Sequence, residues 1–266
     1  DKKTEPSVPE NKKPASVTPR KTSIANARVS GMYNFTYNGK PQKQNIDVII
    51  NGIKLVKNKD YTVAYRNNQN AGTAKIIITG KNLYTGKLER TYEIYKRDIQ
   101  TASISNIKTK IYTGKAVGQV LNIKVNGRKL KAGTDYRIKY KKNVKPGTAT
   151  MIIQAKDNYK GKIVRTFRIK LKKPEIKAVK TKKKTVIVKW KRQNTAITGY
   201  KLQYSKDKNF KTGVKNKTVK GKGSTSVTIT KLKSGQIYYV RIRTYKQIGL
   251  KKYYSKWSKR KKIQVK

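Results

Sequence analysis

The strongest constraint on this chain is a run of residues that it repeats in register. From Tyr37 to Ile94, and again from Tyr112 to Ile169, matching residues recur at a constant offset of 75, and 24 of the 58 paired positions are identical without a gap. Tyr37-x-Gly39-Lys40 returns as Tyr112-x-Gly114-Lys115, and Asn51-Gly52 returns as Asn126-Gly127. Asp60-Tyr61 returns as Asp135-Tyr136, Gly72-Thr73-Ala74 as Gly147-Thr148-Ala149, and Tyr84-x-Gly86 as Tyr159-x-Gly161. The chain therefore holds a duplicated domain, and its conserved spacing speaks to architecture before it speaks to any reaction.

Each copy reads as strands. Asn-Gly between Asp47–Ile50 and Ile53–Leu55 is the strongest short signal for a two-residue hairpin turn, because both residues tolerate positive φ. Tyr61, Val63 and Tyr65 alternate with polar neighbours, and Ala74, Ile76 and Ile78 share one face while Lys75, Ile77 and Thr79 share the other. Leu88, Arg90, Tyr92 and Ile94 sit at even spacing after Gly86. Six or seven short strands with turns every 8–12 residues predict a small β-sandwich. In the second copy Val63 becomes Ile138, Ile76 becomes Met151 and Tyr92 becomes Phe167, so the apolar skeleton holds while the surface changes. Tyr (18) far outnumbers Phe (3), in keeping with a strand-rich chain.

From Pro174 the pattern is different. Val186, Val188 and Trp190 alternate, then Tyr200, Leu202 and Tyr204, then Val227 and Ile229, then Tyr238, Val240 and Ile242, and last Ile263 and Val265. Trp190 on an early strand, together with Leu232-x-Ser234-Gly235-x-x-Tyr238-x-Val240-Arg241-Ile242-Arg243, resembles a fibronectin type III domain over 174–266. The resemblance implies a tyrosine corner at Tyr238, its hydroxyl bonded to backbone a few residues upstream. The duplicated unit resembles bacterial immunoglobulin-like repeats found in tandem in secreted and surface proteins of Gram-positive anaerobes, often beside fibronectin-like domains and downstream of an enzyme or adhesin domain.

The expected organisation is thus all-β: a Pro/Lys-rich, disordered linker at 1–22, Ig-like repeats at 23–97 and 98–172, and a fibronectin type III-like domain at 173–266. The linker carries four of the seven prolines and no apolar periodicity, and at the start of a chain it leads to the expectation of a further domain upstream, with a flexible leader as the alternative.

Charge narrows the setting. The chain has 68 Lys and Arg against 12 Asp and Glu, a formal net charge of +56. The excess grows along the chain, from +9 over 23–97 to +16 over 98–172 and +28 over 173–266. Such a surface attracts polyanions, and the dominance of Lys over Arg favours diffuse attraction over bidentate recognition. There is no Cys and no His, which excludes disulfides, thiol chemistry, Cys/His zinc sites and His-based triads. No stretch approaches 18 apolar residues, so no membrane span is expected. Neither a cofactor site nor a catalytic constellation is read from these residues.

Asp60 and Asp135 are the only acids common to both copies. Each stands alone, whereas calcium needs several oxygen ligands together, so a backbone-capping role is expected. An internal Lys–Asn cross-link would need a buried carboxylate, and no Glu lies between Asp98 and Glu175.

In the last domain Arg241 and Arg243 share a strand face with Tyr239 and Tyr245, and Ser255-Lys256-Trp257-Ser258 follows. Guanidinium groups stacked on Trp257 would make a cation–π ladder resembling one half of the WS motif of cytokine-receptor domains. Tyr253, Tyr254 and Trp257 offer a second reading, an aromatic platform for sugar rings, and a third, packing between modules. Lys182, Lys183 and Lys184, with Lys251, Lys252, Lys259, Arg260, Lys261 and Lys262, form basic runs suited to a polyanion.

The functional expectation is a non-catalytic, monomeric, extracellular or cell-wall-associated spacer that binds an anionic polymer such as teichoic acid. The alternative is an adhesin module that takes a host glycan or protein through the exposed aromatics. No sequence-specific nucleic-acid motif is present.

Overall fold

A computed structural model describes residues 20–266, so 1–19 of the linker lie outside the described residues. The described chain is all-β, with no helix. It forms two compact units, one made of the chain up to Arg97 with Asp157–Tyr159, the other of Asp98–Lys156 with Lys160–Lys266.

In the first unit a three-stranded sheet, ordered Arg28–Ser30, Asp47–Ile50, Ile53–Lys54, accompanies a four-stranded sheet, ordered Phe35–Thr36, Lys87–Tyr95, Gly72–Gly80, Tyr61–Arg66. The short Phe35–Thr36 strand runs parallel to its neighbour; the other pairs are antiparallel. Ala74, Ile76 and Ile78 are fully buried, as their common face demands, and Val48, Leu55, Leu88, Tyr92 and Ile94 complete the core. Asn51 and Gly52 take φ of 49° and 77°, the double left-handed turn that Asn-Gly encodes.

The second unit repeats every one of these strands 75 residues on: Ser103–Ser105, Lys110–Ile111, Asn122–Val125, Arg128–Lys129, Tyr136–Lys141, Gly147–Ala155 and Lys162–Lys170, in the same order within their sheets. Polar struts repeat as well. Buried Gln44 accepts from Tyr33 N (3.2 Å) and donates to Tyr33 O (2.7 Å), and Gln119 does the same with Lys108 at 3.0 and 2.7 Å. The Tyr65 hydroxyl accepts from Gln44 N at 3.0 Å, and Tyr140 accepts from Gln119 N at 2.8 Å. Asp60 Oδ2 accepts from Val56 N and Asp135 Oδ2 from Lys131 N, both at 2.8 Å. These carboxylates close local turns, which is the capping role expected of them.

The rest of the second unit pairs a three-stranded sheet, Ile176–Lys182, Thr185–Trp190, Ser226–Ile229, with a sheet ordered Lys215–Lys220, Gly199–Ser205, Ile237–Ile248. The 12-residue strand Ile237–Ile248 carries two partners on one edge, Lys251–Tyr254 near its end and Lys261–Gln264 near its start. One apolar cluster runs from Tyr112, Met151 and Phe167 through Ile176 to Trp190, Tyr200, Leu202, Val240 and Ile242.

The tyrosine corner differs from expectation. Tyr238 is buried with its ring 6.5 Å from that of Tyr204, but its hydroxyl makes no hydrogen bond among the described residues. Main chain closes the corner in its place: Gly235 N donates to Val265 O and Val265 N to Gln236 O, at 2.8 and 3.0 Å.

Candidate functional site

The chemistry that stands out lies on the solvent-facing side of the Gly199–Ser205/Ile237–Ile248 sheet. Period-2 alternation along Ile237–Ile248 sends Tyr238, Val240 and Ile242 into the core and leaves Arg241 and Arg243 half-buried on the other face. Ser255–Arg260 interrupts the neighbouring edge, where an uninterrupted strand would be the simplest continuation of Lys251–Tyr254. Ser255 N donates to Thr244 O and its hydroxyl accepts from Thr244 N; Ser258 does the same with Ile242. Serine hydroxyls thus stand in for the carbonyls of a regular ladder, and three residues advance here while the partner advances two.

That offset carries Trp257 across the two arginines. The Arg243 guanidinium carbon is 3.8 Å from the Tyr254 ring centroid and 4.3 Å from that of Trp257, while Arg241 is 4.6 Å from Trp257 and 4.1 Å from Phe210. The contacts alternate aromatic and cation: Tyr254, Arg243, Trp257, Arg241, Phe210. Tyr254, directly before Ser255, ends the row on the Arg243 side. Lys201, opposite Arg243 on the adjacent strand, brings its Nζ within 5.9 Å of the Tyr254 ring.

Two contributors had no signal in the local sequence pattern. Phe210 is brought in by a loop in which the Asp207 carboxylate accepts from Asn209 N (2.8 Å), Lys211 N (2.5 Å) and Thr212 N (3.1 Å). Those backbone donors, Asn209 first, hold the Asp207 carboxyl below its usual range. Phe210 itself sits at φ 58°, an uncommon conformation for an aromatic residue. Gln203 Oε1 accepts from Arg241 Nε at 2.8 Å and sets that guanidinium in place.

Burial pushes both arginines down from their ordinary value; for Arg243 the Arg241 charge adds to this and Tyr254 opposes it. Both remain cationic at any physiological pH.

The structure does not gather the other sequence candidates into one place. Tyr253 packs against the core cluster, away from Tyr254 and Trp257, with Lys251 Nζ 5.3 Å from its ring. Lys182, Lys183 and Lys184 form the turn whose Lys184 N donates to Lys266 O, at the Ile237 end of the long strand. Lys251 and Lys252 open the strand at its Ile248 end. Lys259 and Arg260 follow Ser258, and Lys261 and Lys262 pair with Val240 and Tyr239. All nine are exposed and spread along the domain. Among the described residues no group of three or more acids could hold a metal ion, and no helix is long and apolar enough to cross a membrane.

No curated protein matches this sequence. Among solved structures, one described as "Myokine structure" aligns at 15% identity with a TM-score of 0.29, covering 35% of this chain and 94% of that one. Residues 172–261 match the family model of the fibronectin type III domain, a fold typical of modular extracellular regions and typically non-catalytic.

Proposed function

We propose that this chain is a non-catalytic extracellular spacer and attachment region that holds a larger protein to an anionic polymer of the teichoic-acid type. One observation carries the reading: the cations of the last domain have almost nothing within that domain to answer them. Residues 173–266 hold 30 Lys and Arg against two acids. Glu175 pairs with Lys177 at 3.1 Å, both exposed, and Asp207 is occupied by backbone N–H groups. Solubility needs a net charge of only about 2–8 in a small domain. The excess is therefore available to an external polyanion, whose binding would release counterions.

The immunoglobulin-like copies serve as spacing in this reading. Their shared residues are turn formers, core aliphatics and backbone struts, and the difference between copies lies in surface charge. The stacking of Tyr254 and Trp257 on guanidinium groups favours this reading over an aromatic sugar platform.

Co-sedimentation of the full chain with purified teichoic acid across a salt series tests the proposal. Binding should be strong at low salt and fall steeply as salt rises, and should vanish for a polymer stripped of its phosphates. Binding that survives moderate salt unchanged, or that ignores phosphate content, would overturn it.

A further inference from the structure

The two ladder arginines carry more hydrogen-bonding capacity than the protein uses. A guanidinium presents five N–H donors in a fixed fork. Arg241 commits its Nε to Gln203, and Arg243 makes no hydrogen bond among the described residues, its Nε being buried without a partner there. The terminal nitrogens of both groups reach solvent and have no partner among the described residues. Neither acid of the domain answers them, since Glu175 is held by Lys177 and Asp207 by its own loop.

Stacking fixes the plane of each guanidinium without consuming its N–H edge. The forks are thus held in orientation before any ligand arrives, and a ligand is spared the rotamer ordering that a free surface arginine would require. The two forks stand two residues apart on one strand, a rise of about 7 Å. Lys201 extends the row sideways from Arg243. Two partly desolvated cations side by side also repel each other, and an anion against both relieves that repulsion.

We propose that Arg241 and Arg243, with Lys201 beside them, form a phosphate-binding strip in which each fork takes two non-bridging oxygens of successive phosphates in a phosphodiester-linked polymer. The strip rests on the polyanion reading above and refines it: exposed lysines collect the polymer by charge, and the stacked arginines hold it by geometry. Bidentate arginine–phosphate pairs suit this role because fork and phosphate match in shape as well as sign.

The test is an NMR titration of the full chain with purified poly(glycerol phosphate) teichoic acid, a phosphodiester-linked polymer, at about 0.15 M ionic strength, where exposed charges are screened beyond roughly 8 Å. The Nε–H resonances of Arg241 and Arg243 should move together on one saturating curve. Arg243→Lys keeps the charge but loses the fork, and should weaken binding about tenfold, the scale of one charge-assisted hydrogen bond. Lys139→Gln, which removes an exposed charge from the Tyr136–Lys141 strand of the second copy, should weaken it less than about twofold at this ionic strength. Static arginine resonances, or equal losses in the two variants, would overturn the strip. If low-salt binding to teichoic acid persists in that case, the polyanion reading stands without it; if that binding is absent too, both fail. The wild-type titration needs no substitution, so a folding defect in Arg243→Lys does not shield the proposal.

Discussion

Removing the Trp257 ring should cost the last domain a large part of its stability. Two guanidinium groups lie over that ring, at 4.3 and 4.6 Å. A cation–π contact contributes about 0.5–1 kcal/mol when exposed and about 2 when desolvated, so two half-buried contacts come to about 2 kcal/mol. Loss of the half-buried ring's apolar contact adds about 1 kcal/mol. Trp257→Ala should therefore destabilise by about 3 kcal/mol, a substantial share of the 5–15 kcal/mol typical of a domain. Trp257→Phe keeps a ring between the arginines and should cost about 1 kcal/mol, because a smaller π-face remains for the cations. The chain has two tryptophans, Trp190 and Trp257. In either variant, buried Trp190 is the sole fluorescent tryptophan, so denaturant unfolding of the full chain reports on this domain directly. A Trp257→Ala midpoint indistinguishable from wild type would refute the idea that the ladder holds the sheet face together.

Further outcomes follow from the duplicated units. Gly127 sits at φ 78° with open space around it, so Gly127→Ala should cost about 1 kcal/mol from backbone strain alone, read by thermal unfolding; a neutral result would show that the turn relaxes. Tyr140→Phe leaves Gln119 N without its 2.8 Å acceptor and should destabilise by about 1–3 kcal/mol, with Tyr65→Phe acting alike on Gln44. Burial raises the Tyr92 hydroxyl from its ordinary value to about 12, and that hydroxyl donates to Gln42 O at 2.7 Å. The folded state therefore favours the protonated phenol. Its stabilising effect is complete below pH 10 and is lost as pH climbs from 10 through 12. Tyrosinate absorbance should show a late-titrating group that disappears in Tyr92→Phe. The second copy has Phe167 at this place and should show no such loss from this position.

Much of the fold was legible because its signals are local. Asn51-Gly52 encodes a turn through the φ values those two residues tolerate, and alternation at Ala74, Ile76 and Ile78 encodes which face is buried; neither needs knowledge of a partner strand. The candidate site was legible only in outline. Arg241, Arg243 and Trp257 could be placed on neighbouring strands from spacing, but Phe210 reaches the ladder through a loop folded by Asp207, and Gln203 through strand pairing. Those contacts join residues 31 to 38 positions apart from Arg241 in sequence, and no periodicity reports them. The tyrosine corner failed for a related reason, since backbone bonds from Gly235 and Val265 close that bend without the Tyr238 hydroxyl.

Sequence alone determined the duplication, the strand class, the rising positive charge and the absence of Cys and His chemistry, because each is a property of residue type and spacing along one dimension. Tertiary structure decided what the aromatics and arginines do. Tyr253 and Tyr254 are neighbours in the chain, yet strand geometry sends one toward the core and the other onto a guanidinium. The basic runs read as one class in sequence but are dispersed along the domain, while Arg241 and Arg243 are drawn into a stacked row. The physical reason is that stacking depends on which faces a sheet brings within about 5 Å, and that follows from pairing register and a serine-made offset in one edge strand.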